Sequence, residues 1–322
     1  MAAEAAAPYR AARRPRGGFG DSAFRALTFL FALVVLLILA GIAASLAAGA
    51  WPALRHFGLG FVVTQAWNPV TGKFGALAAI YGTLVTSAIA MLIGIPVAFG
   101  IALFITELCP RWLRRPLATA IDLLAAIPSV IYGIWGLFVL APFFQDRVEP
   151  ALIATLGAVP GIGALFTGPP LGIGMLTAGF ILAIMVLPFI AAVMREVFAT
   201  VPSVLKESAY ALGATTAELV WRVVLPYART AVIGGILLGL GRALGETMAV
   251  TFVIGNAHRI HASILQPGTT ISAALANEFT EATGDLYISS LVALGLILFL
   301  ITFVVLAAAR LLLLRGPRPA RG

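Results

Sequence analysis

The residues best suited to act on a ligand are Arg242 and Glu246, four apart in the otherwise apolar run GGILLGLGRALGETMAVTFVIGN. If that run is one helix, the two side chains lie about 40° apart around its axis and can pair along one face. A guanidinium offers paired N–H donors that match an oxyanion such as phosphate, and a nearby carboxylate would restrain its charge. Placed at the centre of a bilayer, a lone arginine costs roughly 2.5–3.5 kcal/mol on insertion scales. Two readings follow. Arg242 either faces a polar passage and attracts an anion, or it forms a buried ion pair that fixes helix packing beside the small residues Gly239, Gly241, Ala243 and Gly245. Ionisable residues inside a membrane are costly and therefore default to function, which favours the passage.

A second chemical feature lies in REVFATVPSVLKESAYALGATTAELVWRVVLPYAR. Val204, Leu205, Ala209 and Leu212 recur at helical spacing beside Lys206, Glu207 and Ser208, so a short amphipathic helix is expected to end near Gly213. Such a helix either docks into a groove on a partner or lies on lipid headgroups. Other chemistries find less support. His258 and His261 are the close histidine pair, but no cysteine accompanies them, and a solvated pair is favoured over a metal site. The single cysteine, Cys109, excludes an internal disulfide. Neither lysine completes a phosphate loop, because Lys73 precedes Phe74 and Lys206 precedes Glu207 where Ser or Thr is required.

These features sit in a chain that needs lipid as its solvent. Of 322 residues, 61% are hydrophobic and 11% charged, against about 25% charged in a soluble domain. Six spans are expected, at 27–48, 74–106, 117–144, 171–193, 229–255 and 286–309. Asp122 and Pro128 interrupt the third, and a Gly- and Pro-rich loop precedes the fourth. The basic flank of the first span and the triplet Ala48-Gly49-Ala50 resemble a signal peptide. The apolar stretch is too long for a signal core, so an uncleaved anchor over 26–54 is preferred, after a basic tail at 1–25. Thr83, Thr86, Ser87 and Ala90 share one face of the second span and read as helix-packing residues, with pathway lining as the alternative.

The net charge of +8 does not point to nucleic acid, because the basic residues fall between apolar runs. Segments on one side carry 16 of the 21 basic residues, among them Arg10, Arg25, Arg111, Arg114, Arg115, Arg195, Lys206, Arg222, Arg310 and Arg321. Four fall on the other side: Arg55, Lys73, Arg147 and Arg259. Positive charge collects inside, so both termini are expected to be cytoplasmic, with the helix near Glu207 on the same face. The segments 51–73, 145–170 and 256–284 then face outward, and the last reads as a solvated charged surface.

Glu207-Ser208-Ala209, three residues, Gly213, nine residues, then Val223-Val224-Leu225-Pro226 resembles the EAA loop of ABC-transporter permeases, with Ser208 and Val223 as small departures. GRALGETMAVTFVIGN, WNPVTGKFGALAAIYGTLVTSAIAMLIGIPVAFGIALFITE and IPSVIYGIWGLFVLAPFF resemble the phosphate-specific permeases of PstC type, from about residue 60 to 310. The resemblance implies an all-α membrane protein with six transmembrane helices. Its fold would be that of a type I ABC importer permease, with a permease domain over 74–310, a coupling loop at about 195–228 and a cytoplasmic tail from 311 to 322. It implies that Glu207, Ala209 and Gly213 couple to an ATPase subunit, and that Arg242 and Glu246 line the substrate pathway. It also implies an inner-membrane location and partners on other chains. These are a PstA-type permease, two PstB-type subunits holding ATP and Mg, and an external PstS-type phosphate-binding protein, with no cofactor on this chain. A sulfate or molybdate permease of the same class, an ion-coupled secondary transporter and an anion channel are the alternatives.

Overall fold

The computed structural model describes residues 19–315, so Arg10, Arg13, Arg14, Arg16, Arg318 and Arg321 of the two expected tails lie outside the described residues. Among the described residues all regular secondary structure is helical, with one isolated bridge between Asn68 and Lys73 and no strand. Six helices are long and apolar enough to cross a membrane. They are α1 (Phe19–Phe57), α2 (Leu77–Leu108), α4 (Ser129–Leu156), α5 (Met175–Ala199), α7 (Thr216–Gly245) and α10 (Asp285–Arg315). The shorter helices include α3 (Arg111–Ala125), α6 (Ser203–Ala211), α8 (Met248–Thr251) and α9 (Ile271–Glu278).

Packing divides the chain into two units, one ending at Ser45 and one beginning at Leu46. The first is most of α1, whose side chains from Phe24 to Ile42 are largely exposed, as suits a helix surrounded by lipid. In the second unit the remainder of α1 packs through Ala50 and Ala53. Pro52 interrupts its hydrogen-bond ladder, and Ser289 of α10 inserts at that point. Ser289 Oγ accepts from the Ala53 amide at 2.9 Å and donates to the Gly49 carbonyl at 2.9 Å. A side chain entering the ladder thus satisfies groups that lipid could not.

The core is built on α5, the most enclosed span. Small residues let neighbouring backbones approach it closely. A Cβ added at Gly179 would lie 2.7 Å from Ile89 on α2, and one at Gly239 of α7 would lie 2.5 Å from Ile190. The first amides of α5 have no intrahelical acceptor. The irregular chain after α8 supplies three, as Gly174, Met175 and Leu176 donate to the carbonyls of Val253, Gln266 and Ile264. The hydroxyl stripe of α2 is buried, and its two threonines are engaged in helix structure while Ser87 Oγ has no partner among the described residues. Thr83 and Thr86 donate back to Ala79 and Gly82, and Thr83 Oγ1 also accepts the Ile271 amide that opens α9.

Two spans depart from expectation. The third was expected over 117–144, but the chain breaks at Ala126–Pro128 and separates amphipathic α3 from α4, which runs on to Leu156. Pro128 cannot donate and pushes the preceding residue out of the helical region. The fifth was expected to reach residue 255, but α7 stops at Gly245, and Glu246 turns to an extended conformation with ψ 130°.

Candidate functional site

Gly239 of α7 lies against Ile190 and Val186, about halfway along the 25 residues of α5. Arg242 is one turn further on, so it occupies the middle depth of the bundle. Its side chain is exposed, and it makes no ion pair or hydrogen bond to any described residue. Glu246 does not pair with it along a helix, because the helix has already ended. Instead Glu246 Oε1 accepts the Ala249 amide at 3.4 Å, at the start of α8. That short helix is held close to α4, where a Cβ at Gly133 would meet Ala249 Cα at 3.1 Å. The expected i, i+4 ion pair is therefore replaced by a free guanidinium and a carboxylate at a helix break. Of the two readings of Arg242, the packing pair loses its structural basis.

The coupling candidates fall on α6 and its exit. Glu207 is exposed, Ala209 is half-buried, and Val204, Leu205, Tyr210 and Leu212 expose apolar surface. Lys206 points back to Glu107 at the end of α2, fixing α6 to a span. Gly213 takes φ +83°, and its amide donates to Tyr210 while Ala214 donates to Ala209. Those two bonds close the helix as a Schellman motif, which requires a left-handed residue at that position. Thr215 and Glu218 then form a reciprocal capping box that starts α7. The spacing of glutamate, alanine and glycine in the loop is thus the spacing of one helix and its stop.

Residues 94–315 match the model for "Binding-protein-dependent transport system inner membrane component". The chain belongs to that family. It is 63% identical over 295 residues, 92% of this chain and 90% of the relative, to the phosphate transport system permease protein PstC of Mesorhizobium japonicum. It is 59% identical over 94% of this chain and 93% of the relative to PstC of Xylella fastidiosa. Among solved structures, a bacterial alginate ABC transporter in complex with an alginate pentasaccharide-bound periplasmic protein covers 90% of this chain and 95% of its own, with a TM-score of 0.58. At 18% identity that likeness shows the fold, the type I ABC importer permease.

A multi-pass permease of the inner membrane also carries sites that its sequence conceals. The segment 256–284, which reads as solvated charge in the sequence, holds a half-buried carboxylate at Glu278. Glu278 takes donors from Trp67 Nε1 at 2.5 Å and Tyr287 Oη at 2.7 Å, and pairs with His258 Nε2 at 2.7 Å. Trp67 stacks on His258 with ring centroids 5.1 Å apart. Burial by itself would raise the Glu278 carboxyl, but bonds from His258, Tyr287 and Trp67 outweigh it and hold the group below the ordinary carboxylate range. Glu149 of α4 is fully buried, and its Oε2 accepts the Gly172 amide at 3.0 Å. Partners up to 211 residues apart in sequence leave no local pattern to read.

Proposed function

We propose that this permease carries inorganic phosphate across the inner membrane as one of two membrane subunits of an ATP-driven importer. One observation carries the reading: an exposed guanidinium at middle depth, without an acceptor among the described residues. Such a group is tolerable in a membrane only beside water, an anion or a partner's polar surface. A PstA-type permease would cover the exposed face of α7 and complete the passage. Phosphate would then be received by paired donors from Arg242. Glu246, about one turn along, would repel the same anion and keep it from resting too tightly. Relatives 63% and 59% identical to this chain are named for phosphate transport, which supports this substrate over sulfate or molybdate.

The drive would come from elsewhere. With no phosphate loop in this chain, ATP and Mg belong on two PstB-type subunits, and α6 presents Glu207 with exposed Val204, Tyr210 and Leu212 to them. A PstS-type protein would deliver phosphate to the outer segments. The charge bias supports a cytoplasmic position for both termini and α6.

Uptake of labelled phosphate by the reconstituted importer tests the proposal. Arg242→Ala should abolish uptake while the subunits still co-purify, and Arg242→Lys should retain part of it. Normal uptake by Arg242→Ala would remove this residue from the path. Excess sulfate should leave uptake unchanged; competition would reassign the substrate. Uptake persisting without ATP would favour an ion-coupled carrier.

A further inference from the structure

Away from Arg242, a cavity of about 560 Å³ opens where α3, the end of α2, the end of α5 and the start of α6 meet. Arg114 and Arg115 come from α3, Arg195 and Glu196 from α5, and Ser203 and Lys206 from α6, with apolar side chains completing the wall. Four cations thus face one carboxylate. Neighbours neutralise them only in part. Arg195 Nη2 meets Asp122 at 3.3 Å, Lys206 meets Glu107, and Arg114 donates to the Thr106 carbonyl at 2.9 Å. Arg195 Nη1 is buried without an acceptor, and Arg115 makes no ion pair or hydrogen bond among the described residues. A buried guanidinium nitrogen left without an acceptor is costly, and an anion would relieve it.

The position narrows the class of anion. Trp112, beside these arginines, is 77% exposed, and tryptophan with arginine marks the headgroup depth of a membrane helix bundle. Gly235 of α7 packs on Val193 of α5, Arg242 is seven residues further along α7, and the cavity residues Arg195 to Ala199 lie beyond Val193 in the opposite direction, so the cavity is more than about 10 Å from Arg242 along the axis. Guanidinium groups match phosphate oxygens in pairs, and basic pockets at this depth receive lipid phosphates. A volume of this size is within the range that holds a small ligand.

We infer that this cavity binds a phosphate-bearing anion, either the phosphodiester headgroup of an anionic lipid or free inorganic phosphate, bridging α3 and α5 to the coupling helix α6. Occupancy would brace α6 through Lys206. The inference does not depend on what the permease transports.

The test uses the complete importer, stripped of native lipid and placed in phosphatidylcholine nanodiscs. Dioleoyl phosphatidylglycerol and radiolabelled inorganic phosphate are titrated separately, with bound lipid read by native mass spectrometry and bound phosphate by equilibrium dialysis. All phosphate titrations are made in an Arg242→Ala background to silence the transport site. Arg115→Gln should weaken one probe about tenfold, the scale of one charge-assisted contact, and Arg115→Lys should recover most of it. Because Arg115 holds no described residue in place, its loss should not unfold the chain, which gel filtration checks. Weakened lipid binding identifies the headgroup as the ligand, and weakened phosphate binding identifies the free anion. If neither probe binds, or if Arg115→Gln binds both as tightly as the unsubstituted chain, the site does not exist.

Discussion

At the scale of single residues, Gly213 and Arg242 illustrate opposite kinds of legibility. Gly213 ends α6 at φ +83° with open space around the position of a Cβ. A side chain there meets no neighbour, so its cost is backbone strain alone, about 1–2 kcal/mol. Gly213→Val should lower ATP-coupled uptake by loosening the end of α6, whereas Gly213→Asn, which tolerates the left-handed region, should lose less. Equal loss from both would show that the glycine serves close contact with a partner rather than the turn. Its role could be read from spacing because a helix stop is a local event. Arg242 was visible as a charge in an apolar run. Its separation from Glu246 was not legible, since a pair four apart presumes a helix that continues.

Helices are the scale at which that presumption fails or holds. An unbroken apolar run cannot reveal that α7 stops at Gly245, because lipid-like composition persists on both sides of the stop. What ends it is tertiary: α8 is drawn against α4, where Gly133 leaves room for Ala249. The third span failed at Pro128 for a reason that was in the sequence, and α3 emerged as a separate amphipathic helix carrying three arginines. Helix α6 was anticipated as an element, and its exposed face carries the coupling prediction. Glu207→Arg should reduce co-purification of the ATP-binding subunits or leave ATP hydrolysis running without uptake. Intact stoichiometry with normal coupling would detach α6 from that role.

At the scale of the whole molecule, the Glu278 cluster ties the segment after α1 to α9 and α10. Its carboxyl is lowered relative to the unfolded chain, so its stabilisation is complete above the ordinary glutamate value, about pH 4.3. It is lost as pH falls through the lower folded value. Thermal unfolding of the intact chain should therefore show extra destabilisation below about pH 4. Glu278→Gln should be less stable near neutrality and should lack that acid step. An identical acid profile in Glu278→Gln would assign the effect to other carboxylates. At the opposite end, the basic cavity occupies the same structural level as α6, so the two ends of the bundle carry different electrostatics.

Composition alone determined that the chain lives in a membrane, and the run lengths determined that it crosses six times, because apolar length is a local property of the polymer. Motif spacing likewise fixed α6 and its glycine stop. The tertiary structure decided which charges meet. It separated Arg242 from Glu246, gathered Trp67, His258, Glu278 and Tyr287, and brought Arg114, Arg115, Arg195 and Lys206 around one cavity. Contacts between residues tens to hundreds of positions apart depend on how helices pack, and that packing is set by small residues and buried polar groups that leave no periodic trace in the sequence.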